Sequence, residues 1–226
     1  MTARDDHLVT DWWAAVALGA LTTGLFAKVG AVVARHRNTR IDMGVREWVV
    51  AHQEPAAVTA FTWVSNVGQP HWLYAAGLAG AGFLWSRGHR RVAMRCVAVP
   101  LFAMGLYEGV KRVYARARPP GIGGMTEGAF SFPSAHSTAS AAVCGTLAYI
   151  FWREGFIGRT TALTAAFGLP ALIGISRLYL DRHWATDVLG GWSAGYLIAA
   201  LSAGLYNRGR RRRNAHSSRP FPSTST

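Results

Sequence analysis

The sequence predicts an all-α, polytopic membrane protein with six transmembrane helices in one bundle. Three observations predict it. The 226-residue chain is 50% hydrophobic and only 15% charged, against about 25% charged residues in an ordinary soluble domain. Runs without Asp, Glu, Lys or Arg occupy residues 12–27, 55–86, 128–152, 160–176 and 188–207, several of them near the roughly 20 residues a helix needs to cross hydrocarbon. Strand-like alternation is missing from these runs and glycines are scattered through them, which argues against a transmembrane barrel. The net charge of +13, from 24 Lys and Arg against 11 Asp and Glu, would suit nucleic acid if it formed one patch. Here the basic residues fall in short clusters between apolar runs, the pattern of membrane topology, so no nucleic-acid partner is expected.

The predicted spans are 12–34, 69–86, 92–110, 134–152, 160–177 and 186–206. The first is read as a retained span rather than a removable signal, because Asp5 and Asp6 precede it and no small-residue cleavage site appears before Lys28. After it, Ile41, Val45, Trp48 and Val49 recur at helical spacing while Asp42, Arg46 and Glu47 fall elsewhere. That spacing predicts a short interfacial helix or a packed connector. The third span carries Arg95 and Glu108 near its ends, where the arginine can snorkel and the glutamate can meet Lys111 or Arg112. Cys96 and Cys144 lie in apolar runs and read as small hydrophobes. Trp12, Trp13, Trp85, Trp152 and Trp184 sit near span ends, as an interfacial aromatic belt requires. The organisation is therefore a membrane domain over 1–207 and a basic tail over 208–226, expected to be disordered because it offers nothing to bury.

An even number of spans puts both termini on one side. Arg210 to Arg213, Arg87, Arg90, Arg91, Arg153 and Arg159 share that side, which predicts that it is the cytoplasm; Arg35, Arg37, Arg40 and Arg46 fall opposite.

Span parity also brings three polar segments to one membrane face. The first puts Lys111 and Arg118 seven residues apart, on one helical face if the helix persists to Pro119. Alone it reads first as a juxtamembrane basic anchor, since basic residues flank spans generally. In the second, Pro133 and Ser134 open a helix whose free N–H groups favour an anion, with His136 one turn away; a plain cap beside a structural histidine is the other reading. The third runs from Ser176 and Arg177 to His183 and Asp187. Four residues apart, the carboxylate can accept the imidazole N–H and leave the other ring nitrogen free to attack. Two histidines, an orienting aspartate and three phosphate-type cations read as phosphomonoester or diphosphate hydrolysis. No metal-ligand cluster accompanies them, and no cofactor is expected.

Lys111-x6-Arg118-Pro119, Pro133-Ser134-x-His136 and Ser176-Arg177-x5-His183-x3-Asp187 resemble, in order and spacing, the three signature motifs of the type 2 phosphatidic acid phosphatase superfamily. The six-span layout resembles its integral-membrane lipid phosphatases. The resemblance implies that His183 attacks phosphorus to form a phosphohistidine, that Asp187 orients it, and that His136 protonates the leaving oxygen. It implies that Lys111, Arg118 and Arg177 clamp the phosphoryl oxygens, helped by Ser134 and by the N–H groups of Ala135 and His136. One position departs from the pattern: Ala135 stands where the family usually has glycine, which would disfavour a backbone with positive φ.

The function expected is removal of a terminal phosphate from a membrane lipid phosphate or diphosphate. Undecaprenyl diphosphate is the first choice, with phosphatidylglycerophosphate, phosphatidic acid and lipid A phosphate close behind. The expected location is the inner (plasma) membrane, with the active site on the extracytoplasmic face. A lipid phosphotransferase could use the same residues. An anion transporter with a His136, His183 and Asp187 proton relay is the non-enzymatic alternative, disfavoured because internal repeats are not seen and the polar groups gather at one face. The loop over 121–128 reads as a rim of the site or a turn-rich connector.

Overall fold

The computed structural model describes residues 3–121 and 130–217, with side chains described over 12–121 and 130–212. All regular structure among the described residues is helical: α1 (Ala3–Arg35), α2 (Arg40–Ala51), α3 (Pro55–Val67), α4 (Pro70–Ser86), α5 (Arg90–Tyr114), α6 (Ala135–Arg153), α7 (Arg159–Leu163), α8 (Leu169–Tyr179) and α9 (Ala185–Ser217). The 121–128 loop falls, apart from Gly121, outside the described residues.

Each predicted span contains a helix, but four helical segments are long and apolar enough to cross a membrane: Trp12–Arg35, Arg90–Tyr114, Arg159–Tyr179 and Ala185–Arg212. The other two are α4, with 17 residues, and α6, with 19. The composition of α6 follows from its place. It packs against α4, α5, α8 and α9, and Ser137, Thr138, Ala139, Ser140, Ala141 and Ala142 along it are fully buried. A helix clad by other helices need not present an apolar face to lipid, and two of its hydroxyls bond backward to carbonyls, Thr138 Oγ1 to Ser134 O at 2.9 Å and Ser140 Oγ to Ser137 O at 3.3 Å.

Close approach fixes α9 against α6. A Cβ on Gly195 would stand 2.5 Å from the Thr138 carbonyl oxygen and 2.6 Å from Ala141 Cβ; on Gly191, one turn earlier, it would stand 2.8 Å from Ser134 O. The pair forms a small-xxx-small stripe, the device by which helices in lipid approach backbone to backbone. It also holds the first turns of α6 and α9 side by side.

Between α7 and α8 the chain stays helical through a π-helical turn, Thr164–Gly168. Pro170 has no N–H, so the Ala166 carbonyl loses its usual partner. Tyr196 on α9 donates its hydroxyl to Ala166 O at 3.0 Å, and Trp192 Nε1 donates to Pro170 O at 3.0 Å.

Several expectations change. Ahead of the predicted span at 69–86, the charge-free run from residue 55 holds a further helix: α3 ends at Val67, and Pro70 starts α4. Helix α2 forms where its spacing predicts, opened by a capping box between Thr39 and Asp42, but Asp42 faces inward and is 1% exposed while Ile41 and Trp48 are exposed. Trp184 is not an interfacial anchor. It is buried, with Nε1 donating to Ala117 O at 2.9 Å and its ring under the Arg116 guanidinium, because a charge-bearing loop supplies its partner inside the protein. The chain is not irregular from Arg208, since α9 continues to Ser217. Arginine favours helix, and Arg210 Nη1 ties this extension to Arg153 O at 3.0 Å and to the Tyr206 hydroxyl at 2.8 Å; residues 218–226 lie outside the described residues.

Candidate active site

The three polar segments meet at one end of the bundle, where α5 ends and α6 and α9 begin. Helix α5 stops earlier than the Lys111/Arg118 spacing assumes. Ala115 terminates it in the left-handed conformation, φ 42°. Residues before proline avoid helical backbone, so Arg118, ahead of Pro119, approaches from a loop and not from a shared helical face with Lys111. Ser131 pins that loop, its N–H donating to Arg116 O at 2.8 Å and its hydroxyl to Ala117 O at 3.1 Å.

Arg118 Nη1 lies 3.0 Å from His183 Nε2 and donates to Arg182 O at 2.8 Å. On the other side of the ring, His183 Nδ1 lies 3.4 Å from Asp187 Oδ2. His183 and Asp187 do not share a helix, as their spacing suggested. His183 precedes α9, and Asp187 sits in its first turn, where Oδ2 also accepts the Trp184 N–H at 2.9 Å. One carboxylate therefore caps α9 and faces the imidazole. The Ser134 N–H donates to Asp187 O at 3.0 Å, which joins the start of α6 to the start of α9.

Ser134 is the N-cap of α6, its hydroxyl accepting the Ser137 N–H at 3.4 Å. Ala135 is the first helical residue and is not among the positive-φ positions, so alanine fits there without strain. The His136 ring hydrogen-bonds to the Ser65 backbone, while its Nε2 is buried without a hydrogen-bond partner. Arg177, 2% exposed, donates from Nη1 to the Ser65 hydroxyl at 2.5 Å. His136, Lys111, Arg118 and Arg177 are all close enough to act on His183 through their charges. Burial first, and then the Arg118 and Arg177 guanidiniums, hold the His183 imidazole well below its ordinary value of 6.5. It is neutral at physiological pH, the state in which Nε2 carries a lone pair.

Sequence reasoning missed four residues. Arg116 is buried beneath the site, with Nη1 2.6 Å from Asp187 Oδ1 and 2.7 Å from the Thr186 hydroxyl, and Nη2 2.7 Å from Asp42 Oδ2. Thr186 in turn donates its N–H and hydroxyl to Asp42 Oδ1, each at 2.9 Å. Although burial opposes ionisation of Asp42, the Thr186 and Thr39 N–H groups and the Arg116 charge outweigh it and lower its pKa below the ordinary 3.8. Ser65 is the fourth, on a helix the span assignment left out. An open cavity of about 330 Å³ borders the site, lined by Arg37, Arg46, Arg116, Arg118 and Trp184 among others.

Comparison with known proteins identifies the family of the stretch that holds these segments. The family model described as PAP2 superfamily matches residues 92–211, a stretch that contains every motif residue. Phosphatidylglycerophosphatase B of Bacillus subtilis is 36% identical over 99 residues, 42% of this chain and 49% of that protein. Lipid A 1-phosphatase of Porphyromonas gingivalis is 36% identical over 97 residues, 43% of this chain and 20% of that one. The chain thus spans less than half the length of these two relatives. Decaprenylphosphoryl-5-phosphoribose phosphatase of Mycolicibacterium smegmatis is 31% identical over 141 residues, 61% of this chain and 72% of that one. A crystal structure of a transmembrane PAP2-type phosphatidylglycerolphosphate phosphatase from Bacillus subtilis superposes with a TM-score of 0.75 at 26% identity, covering 84% of this chain and 96% of that one.

Proposed function

Because this chain belongs to the PAP2 superfamily, we propose that it is an integral-membrane phosphatase that removes a terminal phosphate from a membrane lipid through a phosphohistidine. The carrying observation is His183. Its ring lies between Arg118 Nη1 at Nε2 and Asp187 Oδ2 at Nδ1, so a neutral imidazole is oriented from one side and meets a phosphate-binding guanidinium at the nitrogen that would attack.

In this reading Nε2 forms a bond to phosphorus as the P–O bond to the lipid breaks in line. His136, whose Nε2 has no partner, delivers the proton that the departing oxygen requires. Lys111, Arg118 and Arg177 hold the three phosphoryl oxygens and carry the transition-state charge without a metal ion. The Ser134 hydroxyl and the N–H groups of Ala135 and His136 at the start of α6 add donors. Water then attacks phosphorus, His136 takes its proton, and phosphate leaves as the His183 N–P bond breaks.

The bundle is proposed to cross the membrane six times, with α6 shielded by the helices around it and the 17-residue α4 turning Trp72, Leu78 and Trp85 outward. Both termini are then cytoplasmic and the catalytic end extracytoplasmic. The membrane domain is taken as 1–207, followed by a basic segment. For the substrate, the relatives' names support a lipid phosphate, and phosphatidylglycerophosphate is proposed beside undecaprenyl diphosphate, the choice from sequence.

The test is phosphate release in EDTA by detergent-purified protein, from phosphatidylglycerophosphate, undecaprenyl diphosphate, phosphatidic acid and lipid A 1-phosphate, beside a His183→Ala control. Release that survives EDTA and disappears in the control, with an acid-labile phosphoenzyme trapped at His183, is the expected result. No release from any lipid by folded protein overturns the reading.

A further inference from the structure

The helices that carry Lys111, His136 and Asp187 carry a second basic cluster at their other ends. The loop before α5, the end of α6 and the far part of α9 enclose a cavity of about 540 Å³ lined by Gly88, His89, Arg90, Arg91, Glu154 and Arg210, with Val92 at its base. That volume lies within the roughly 300–1,000 Å³ of small-ligand pockets. Arg90 and Arg91 are exposed, and Arg90 lies over the ring of Trp85, itself 50% exposed. Exposed tryptophan at a span end marks the headgroup level of a bilayer.

The charge there is unbalanced. Glu154 is the cavity's one lining carboxylate, and both of its oxygens are engaged: Oε1 accepts the Tyr206 hydroxyl at 2.8 Å and Oε2 lies 3.2 Å from His89 Nδ1. Arg210 is held in place by the Arg153 carbonyl and the Tyr206 hydroxyl, a fixed guanidinium at the cavity wall. Arg87 adds positive charge nearby, stacked over Phe83 and Phe156. Fixed guanidiniums at a bilayer surface bind phosphate oxygens of lipid headgroups.

We propose that this cavity binds the headgroup phosphate of an anionic phospholipid in the leaflet opposite the catalytic residues. The occupant is a lipid, because the cavity lies where α5 begins and α6 ends, against the side of α9 and beside an exposed tryptophan of the kind that sits at headgroup level. Such a lipid bridges α5, α6 and α9 at the ends remote from the active site and serves as a structural ligand, not a substrate. The inference requires membrane embedding but no chemistry at His183, so its failure and that of the phosphatase reading are separable.

The experiment is native mass spectrometry of full-length protein released from nanodiscs of equal phosphatidylglycerol and phosphatidylcholine, with photo-crosslinking by an azido-headgroup phosphatidylglycerol. Wild type is expected to retain phosphatidylglycerol over phosphatidylcholine by about tenfold, R90Q/R91Q to lose most of that preference, and R90K/R91K to keep it, since each basic residue at the surface attracts an anionic lipid mainly by charge. Crosslinks are expected at residues 88–92, 154 and 210. Far-UV circular dichroism establishes that the variants are folded, and a set that unfolds is replaced by R91Q alone. Equal retention of the two lipids by wild type, undiminished preference in R90Q/R91Q, or crosslinks confined to 111–136 overturns the proposal. So does displacement of the retained lipid by millimolar glycerol 3-phosphate, which would make the cavity a site for soluble phosphate esters.

Discussion

Arg116 Nη1 lies 2.6 Å from Asp187 Oδ1, so the carboxylate that faces His183 is itself gripped from behind. The same guanidinium holds Asp42 at 2.7 Å, and both ion pairs are sealed from water, at 1% exposure for Arg116 and 0% for the two aspartate side chains. Two buried carboxylates share one arginine, and removing it strands both. Arg116→Ala is expected to cost about 3–5 kcal/mol of stability and to abolish phosphate release. Arg116→Lys should recover little of either, because one ammonium cannot reproduce the fork. Thermal melts in detergent beside the release assay check this; wild-type stability in Arg116→Ala would refute it.

Ser65 bonds to both Arg177 and His136. Ser65→Ala removes the side-chain acceptor of Arg177 and leaves the backbone bond to His136. We expect kcat/KM to fall about tenfold through lost alignment while the melting temperature moves little. A variant that loses stability and activity in proportion would mean that Ser65 serves only packing.

For His183 the sign follows from the lone pair. Attack needs the neutral ring, and the folded protein lowers its pKa, so the neutral fraction persists as the solution is acidified past 6.5. Single-turnover formation of the phosphoenzyme should hold its rate below pH 6.5 and decline only further into acid. Arg118→Gln, which removes one of the charges that depress the His183 pKa, should move that acid decline to higher pH; a wild-type acid limb at or above 6.5 would contradict the neutral-imidazole reading.

Acid stability should report on Asp42. Its folded pKa is depressed, so its contribution is present above the unfolded value of about 3.8 and is lost as pH falls through the lower, folded value. The wild-type denaturation midpoint should drop below about pH 4, and Asp42→Asn should be less stable at neutral pH and flatter across that window. Parallel curves for the two proteins would remove Asp42 from the account.

Gly195→Ala places a methyl 2.5 Å from the Thr138 carbonyl oxygen, which only separation of α6 from α9 relieves. A loss of about 1–3 kcal/mol is expected, with a fall in phosphate release although no catalytic side chain changes. Unaltered melting and activity would show that the close approach carries no constraint.

The motif residues were legible because their spacing is tied to chemistry: His183 and Asp187 meet whether the intervening chain is helix or turn. Arg116 was not, since in sequence it is one more cation between Lys111 and Arg118, and only the fold reveals the two aspartates that claim it. Asp42 lay on the polar side of an amphipathic pattern that assumes one partner face, whereas α2 packs against both α8 and α9. Trp184 read as an anchor because position near a span end does not distinguish a ring turned to lipid from one turned to a buried loop. Helix α3 was hidden in an uninterrupted apolar run, although Pro55 and Pro70 are both proper helix starts. Ala135 departs from the family pattern but keeps its N–H, and as a helix-start residue it needs no positive φ.

The burial of α6 has a consequence for how the protein is made. A helix rich in Ser, Thr and Ala gains little by entering hydrocarbon alone, and it becomes comfortable in the bilayer only when neighbouring helices take up its surface. Its largest partner, α9, is synthesised after it. Secure placement of α6 therefore waits for α9, and the glycine stripe that seats α9 brings Asp187 beside Ser134 in the same movement. A bundle in which α9 has not yet docked lacks the Asp187 carboxylate beside His183, so the proposed site forms only when these two helices meet.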